Sequence, residues 1–376
     1  MRLIFVGGGS GGPIIPLIAV SQRIKKENKE AKFLFLGTSN GPEKQMLAKY
    51  NLPFKSIAAG KWRRYFSFLN IIAPLMVLVG LVQSFMILKK FKPDLVFAAG
   101  GYVAVPVVFA AWVLRIKIVI HQQDYVPSLT NKILSPFAER ITVSFEHSLK
   151  DFLSGSGIFG YSKNEQRVIW TGNPFREELI NSLSEKEIKK ARGEFNLSEE
   201  LPVLLVLGGA TGAASLNRIL EEALPELVKT VQVIHATGKG KKIDFKHPNY
   251  HAFELISKMQ EAYALSDIVI SRAGMSTITE LSALKKAAIV VPMPDSHQTE
   301  NGGVLLITQA ALVVPQETLN GERLSMIVKK LIYDWDYQQS LRENIHRLMP
   351  HNATEKISKI IMDLCKKPEK EKNKKQ

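Results

Sequence analysis

Three glycine-bearing turns hold the residues best placed by type and spacing to do chemistry. The first follows an apolar run in RLIFVGGGSGGPIIPLIAV (2–20), where Gly7, Gly9 and Gly12 meet a G-x-G-x-x-G spacing. The second is LGGATGAAS (207–215), with Ala210 and Thr211 at its centre, and the third is SRAGMSTITE (271–280). Each reads as strand end, tight turn and helix start. Backbone amides at such a turn form an anion site by geometry, or else the glycines only permit close strand–helix packing. In the third turn, Met275, Ser276, Thr277, Ile278 and Thr279 form the first helical turn after Arg272 and Gly274. Ser276 or Thr277 can cap the helix or donate to a phosphate. Glu280 supplies a carboxylate able to accept from both hydroxyls of a ribose, the chemistry that a nucleotide sugar needs; its plainer role is that of an acid favoured near a helix N-terminus.

The first turn does not fit a nicotinamide dinucleotide. That chemistry needs an acid at the end of the second strand to accept from the ribose. Here AKFLFLGTSNG ends that strand on Gly37 and Thr38, and Glu27 and Glu30 precede it on the wrong edge. What remains is a set of backbone amides at a helix start. Pro13 falls near the first helical position, where a missing N–H costs little.

These turns must be held by a scaffold, and the chain alternates strand and helix patterns throughout. Strands are expected at 2–6, 32–36, 95–98 and 117–120, and again at 203–207, 231–235, 267–270 and 288–291. Strands separated by helices imply parallel, doubly wound sheets, an α/β fold. The two halves open alike, with an apolar strand, a glycine turn and a helix start in each. The 376 residues are too many for one ordinary core. The expected division is 1–168, 169–350 and a C-terminal helix with a basic, disordered tail at 351–376, the boundary lying near WTGNPFREEL (170–179).

The formal net charge is +15, and the tail KKPEKEKNKKQ (366–376) contributes six lysines against two glutamates. Such a tail is a solvated end or a tether to an anionic surface. No nucleic-acid motif and no interleaved basic and aromatic face accompanies the charge, so no nucleic-acid partner is expected. A single cysteine, Cys365, excludes an internal disulfide and fits a reducing compartment. MRLIFVGGG reaches glycine after too few apolar residues for a signal peptide. No Asp-x-Asp or histidine cluster with metal spacing is present, so no metal is expected.

FSFLNIIAPLMVLVGLVQSFMIL (66–88) runs 23 residues without a charge, long enough to span a bilayer. Asn70, Pro74, Gly80, Gln83 and two serines weaken that reading, and KPDLVFAAGG resumes a strand pattern directly afterwards. Lys61, Arg63 and Arg64 precede the segment, and Lys89, Lys90 and Lys92 follow it. A helix partly in the core and partly exposed, with a basic rim, is the makeup of a surface that sits on anionic membrane.

Four further segments carry a family resemblance: AAGGYVAVPVVFAAWVLRIKIVIHQQDYVPSLTNKIL (98–134), TGNPFREEL (171–179), LGGATGAASLN (207–217) and SRAGMSTITELSALKKAAIVVPMPDSHQTENG (271–302). Together with the opening turn they resemble the MurG family, in order, from residue 2 to about residue 350. That family transfers N-acetylglucosamine from UDP-GlcNAc to the lipid-linked muramyl-pentapeptide precursor of peptidoglycan. The resemblance implies a GT-B architecture of two Rossmann-like domains facing a cleft, with the acceptor lipid on the first, UDP-GlcNAc on the second, and a peripheral place on the cytoplasmic face of the membrane.

By the same resemblance, Glu280 is the ribose ligand, Gln298 contacts the sugar, the Ile256 backbone pairs with uracil and Arg176 stands near the diphosphate. Loop amides and Arg176 would then neutralise the leaving UDP without a cofactor. Ser10, Gly11, Gly12 and Asp124 are also expected to reach the donor, and Gly8, Gly9, Ser10, Pro13 and Gln122 to line the acceptor side, where the first loop would hold the acceptor's diphosphate. The chain departs from the family pattern at Ala210–Thr211 (usually Ser-Gln), at Pro13 (usually His), and at His121-Gln122-Gln123-Asp124 (usually His-Glu-Gln-Asn). Inverting transfer needs a base near the acceptor hydroxyl. Asp124 is the expected base and His121 the second candidate, and a role for Asp124 in merely holding the loop or sugar stays open. So do two other functions: a related GT-B enzyme with another lipid or glycan acceptor, and a silent homologue that binds UDP-sugar.

Overall fold

The computed structural model describes residues 1–9, 11–60, 69–153, 165–209 and 213–366. The chain divides into two compact units, Met1–Arg176 with Pro350–Gln376, and Glu177–Met349. This differs from the expected division in two respects. The first boundary lies a few residues further on, and the C-terminal helix joins the first unit instead of standing apart. The cause is burial: Ile357 and Ile361 of the helix Ala353–Cys365 sit in the same core as Leu17 and Ile18 of the helix Ile14–Glu27. The Lys117 ammonium also donates to the Leu364 carbonyl at 2.6 Å. The tail beyond Lys366 lies outside the described residues.

The first unit is built on seven strands: β1 Arg2–Val6, β2 Lys32–Gly37, β3 Phe54–Ser56, β4 Leu95–Ala98, β5 Lys117–Gln122, β6 Arg140–Val143 and β7 Val168–Trp170. All neighbours pair in parallel, in the order β3-β2-β1-β4-β5-β6-β7. Alternate residues of β1 face opposite layers. Leu3 and Phe5 pack under the first and last helices, whereas Ile4 and Val6 pack on the side of the helix Ala104–Val113. Burial on both faces is why the central strands read as unbroken apolar runs.

The second unit holds β8 Val203–Leu207, β9 Gln232–Ala236, β10 Tyr250–Phe253, β11 Ile268–Ser271, β12 Ala287–Val290 and β13 Leu312–Val313. These are parallel too, in the order β10-β9-β8-β11-β12-β13. The echo between the halves is structural. β1 and β8 are each five residues long, and each leads through a glycine turn to a 14-residue helix, Ile14–Glu27 and Ala214–Leu227. Gly9 and Gly209 both take positive φ, +90° and +82°, the region that favours glycine. In each sheet the chain order reverses beside the first strand, between β1 and β4 and between β8 and β11. Ligands of open α/β sheets bind outside the carboxyl ends of strands at such a switch point.

The apolar segment forms the helix Leu69–Phe91, with Pro74 inside it. Within residues 72–91 an 18-residue window reaches a mean hydropathy of 1.9, and the stretch is long and apolar enough by composition to cross a membrane. One side is locked into the first unit. Leu88 lies in the core, a side chain at Gly80 would run into the Ala58 carbonyl, and Gln83 Oε1 accepts from Ala58 N–H at 2.7 Å. The other side is bare: Ile72, Leu75, Leu78, Val79, Val82 and Met86 are each more than 40% exposed. Lys61, Arg63 and Arg64 lie outside the described residues.

Candidate active site

Because each sheet is parallel, the loops after its strands gather on one edge. In the first unit, the turn after β1, the Gly100–Gly101 turn after β4 and His121–Asp124 at the end of β5 share that edge. Gly101, at φ +84°, has no room for a side chain against the Gly8 carbonyl, so the first two turns pack backbone on backbone. Gly8 and Gly11 are buried, Gly9 is exposed, and Ser10 lies outside the described residues. Pro13 is the N-cap of its helix at φ −64°, a helical value that proline holds without strain.

One of the backbone amides expected at this turn is already engaged within the protein. Gly9 N–H donates to Glu43 Oε1 at 2.6 Å, and the Thr38 hydroxyl donates to the same oxygen at 2.9 Å. Glu43 is fully buried, and its Oε2 has no hydrogen-bond partner among the described residues. An internal carboxyl group therefore already occupies one amide of the loop. Glu43→Ala would strip the acceptor from two donors, the buried Thr38 hydroxyl and Gly9 N–H, and leave a cavity, and it is expected to cost about 2–4 kcal/mol of stability. Glu43→Gln keeps an acceptor oxygen and should cost less. Chemical denaturation measures both, and an unchanged midpoint for Glu43→Ala would show that the grip on Gly9 contributes nothing.

His121 is fully buried. Its Nε2 lies 2.9 Å from Asn173 Oδ1, which can only accept, so Nε2 carries the proton. Nδ1 then accepts from the Thr142 hydroxyl at 2.9 Å. Burial pushes this imidazole down to about 4, against a partial lift from Asn173 and Thr142. With both ring nitrogens engaged and the cation disfavoured, His121 is a poor proton acceptor. His235 in the second unit is likewise pushed down to about 4 by burial, with its Nδ1 2.9 Å from the Tyr250 hydroxyl. The unfolded chain takes up these protons near pH 6.5. The stability that the two neutral rings confer is thus complete above about pH 6.5 and is lost as pH falls toward 4, by up to about 3 kcal/mol for each ring. The thermal midpoint is expected to drop between pH 7.5 and pH 5; a flat profile would contradict the buried neutral rings.

Gln122 is part of the loop's frame. Its amide donates to the carbonyls of Asp124 at 2.8 Å and Val126 at 3.1 Å, and its oxygen accepts from Asn131 Nδ2 at 2.7 Å. An ionised glutamate at this position could not donate those two bonds. The result is a fixed backbone at Asp124, whose half-buried side chain stands on the carboxyl edge of β5. Arg176, half-buried, is the last residue of the first unit.

In the second unit, Gly274 is the N-cap of the helix Met275–Ala283. Met275 and Ile278 are buried, and Ser276 and Thr277 are partly exposed. Thr279 turns its hydroxyl back to the Met275 carbonyl at 2.7 Å, which serves the helix. Glu280, 7% exposed, accepts from the Tyr263 hydroxyl at 2.9 Å. Gln298 opens the helix Gln298–Ile307, and its Oε1 accepts from Met293 N–H at 3.1 Å. Ile256 is buried in the loop after β10. Ala210 and Thr211 lie outside the described residues.

Arg272, named in the sequence only as part of a turn, proves to be a brace. Its guanidinium donates to Ser215 Oγ at 2.7 Å, to Gln316 Oε1 at 2.6 Å and to the carbonyls of Val291 and Pro292. It thereby joins the helix start after the second glycine turn to the ends of β11 and β12. All these residues lie on the carboxyl edge of the second sheet. Among the described residues no group of three or more His, Cys, Asp or Glu side chains could hold a metal ion.

Two Rossmann-like units, each with a glycine turn at its switch point, make up a GT-B fold. The glycosyltransferase family 28 N-terminal domain matches residues 3–143, and the glycosyltransferase family 28 C-terminal domain matches residues 203–364. The chain belongs to glycosyltransferase family 28, and within it to the MurG family. It is 36% identical over 370 residues to UDP-N-acetylglucosamine--N-acetylmuramyl-(pentapeptide) pyrophosphoryl-undecaprenol N-acetylglucosamine transferase 2 of Bacillus thuringiensis subsp. konkukian, covering 96% of this chain and 98% of that protein. The Lachnospira eligens transferase is 35% identical over 376 residues, covering 97% and 99%. Among solved structures, Acinetobacter baumannii MurG shares the fold with a TM-score of 0.70 at 24% identity, covering 96% of this chain and 99% of that one.

Proposed function

We propose that this protein transfers N-acetylglucosamine from UDP-GlcNAc, with inversion, to the muramyl-pentapeptide of an undecaprenyl-pyrophosphate lipid, giving the disaccharide precursor of peptidoglycan. The observation that carries this reading is the full-length likeness to transferases named for that reaction, with the family's motif residues standing on the carboxyl edges of two sheets. Glu280 accepts from the ribose hydroxyls, the Ile256 backbone pairs with uracil, Gln298 contacts the sugar, and the amides after β8 and at Gly274 face the diphosphate. Ser276 and Thr277 are its hydroxyl neighbours. Arg176 offsets the charge developing on UDP as the glycosidic bond breaks. Asp124 takes the proton from the attacking hydroxyl of the acceptor sugar. It is preferred to His121 because it is half-buried on the strand edge and its backbone is held by Gln122, whereas both ring nitrogens of His121 are engaged.

The protein works on the inner face of the membrane without spanning it. The exposed side of the helix Leu69–Phe91 supports this. So does the helix Ala104–Val113 packed beside it, with Trp112 and Val113 each 48% exposed, and so do the exposed Lys89 and Lys90. Such a surface combines apolar insertion with attraction to anionic lipid.

The test is UDP release from UDP-GlcNAc by the purified full chain, with and without a short-chain muramyl-pentapeptide lipid. Release that depends on that acceptor is expected. Binding of the donor without acceptor-dependent release would favour another acceptor or a silent homologue.

A further inference from the structure

Tyr263 is 1% exposed, on the helix Met259–Leu265, and belongs to none of the motifs singled out in the sequence. Its hydroxyl donates to Glu280 Oε2 at 2.9 Å. Glu280, with 7% of its surface exposed, has lost most of its water, and a hydrogen bond to a carboxylate in such a place is charge-assisted and stronger than a neutral one. Tyr263 itself is anchored. Its carbonyl accepts from Ser266 N–H at 3.2 Å and from the Ser266 hydroxyl at 2.9 Å, and the Ser266 carbonyl accepts from the Lys286 ammonium at 2.8 Å. The phenol therefore reaches Glu280 from a fixed base, and its single hydrogen sets the plane of the carboxylate. A buried tyrosine needs some partner; this one finds the very carboxylate that the proposed function places under the ribose.

The geometry points to Tyr263 as a positioning residue for ribose recognition: by holding the Glu280 carboxylate in one orientation, it sets the enzyme's preference for a ribonucleotide sugar over a deoxyribonucleotide sugar. The inference rests on the reading of Glu280 as the ribose ligand. Without the phenol hydrogen bond the carboxylate samples several orientations, and its bond to the ribose 2′-hydroxyl weakens while contacts to uracil, phosphate and sugar persist.

The test compares UDP-GlcNAc with its 2′-deoxyribose analogue as donors for the full-length wild-type chain, Tyr263→Phe and Glu280→Gln. The wild type is expected to prefer the ribose donor by about 10- to 100-fold in kcat/KM, the range of a hydrogen bond to a charged group. Tyr263→Phe should raise KM for UDP-GlcNAc about threefold to tenfold, change kcat less than twofold, and raise KM for the deoxy donor, which keeps only its 3′-hydroxyl bond to Glu280, by clearly less, so that the preference shrinks. A purely structural role would raise both KM values together and leave the preference intact, which would overturn the inference. If Glu280→Gln abolishes the preference and Tyr263→Phe does not, only the positioning role fails. If Glu280→Gln leaves the preference unchanged, Glu280 is not the ribose ligand and the inference falls with that reading. Should Tyr263→Phe not fold, Ser266→Ala, which removes one anchor of Tyr263, carries the same comparison: a smaller loss of preference supports the positioning role, and equal loss for both donors overturns it.

Discussion

Asp124→Asn is expected to lower kcat by at least about 100-fold while leaving KM for UDP-GlcNAc within about threefold, the effect of removing a general base and nothing else. The substitution is nearly isosteric and keeps the hydrogen-bonding reach of the side chain. The Asp124 backbone, held by the Gln122 amide at 2.8 Å, does not depend on the carboxylate. A role confined to holding the loop or sugar would be served almost as well by asparagine. A loss of less than about tenfold, worth roughly 1.4 kcal/mol of barrier, would mean that Asp124 is not the base. His121 would be no ready substitute. Burial pushes it down to about 4, and both its nitrogens are committed to Thr142 and Asn173. Measuring kcat and KM for both substrates across pH would separate loss of the base from loss of acceptor binding.

The second large effect concerns the membrane face. Replacing Leu75, Leu78 and Val82 with serine should weaken binding to anionic vesicles by about 100-fold or more. Burying each aliphatic side chain is worth about 1.5–3 kcal/mol, and the loss is discounted here for partial insertion. All three residues are about 60% exposed and point away from the core, so the thermal midpoint should hardly move. Turnover on a short-chain, soluble acceptor should be unchanged. Vesicle sedimentation at low and moderate salt reads both contributions, since the lysine contribution is screened and the apolar one is not. Unaltered vesicle binding by the triple variant would place the membrane contact elsewhere.

Much of the scaffold is legible in the sequence, because buried parallel strands announce themselves as apolar runs. RLIFV, LVFA, VLLVL and IVIS sit at the centres of the two sheets, paired on both sides. The strands that leave no such mark are short or polar and lie toward the sheet margins. Phe54–Ser56 has one hydrophobic residue in three, and Leu312–Val313 has only two residues. Too little of such strands is buried to leave a pattern. The C-terminal helix is legible as a helix, but not as part of the first unit, since periodicity gives a buried face and not the core that receives it.

Site residues divide along similar lines. The glycine turns and Glu280 can be picked out because their chemistry lies in residue type and local spacing. Glu43 cannot. An acid at the start of a short helix reads as a favourable helix-terminal charge, and only the β1–β2 pairing brings its carboxylate to Gly9. Tyr263 and Arg272 are hidden for the same reason, each acting across elements distant in sequence. Gln122 can be singled out in the sequence, but its role cannot: only the structure shows the two bonds that its amide donates.

The most direct test of the account is the identity of the product formed from UDP-GlcNAc and a short-chain muramyl-pentapeptide lipid, by mass and by the anomeric proton coupling of the new sugar. The account predicts one added N-acetylglucosamine in the β configuration, inverted from the donor, with UDP released in equal amount. An α-linked product, or UDP released with free N-acetylglucosamine and no change in the lipid, would contradict it.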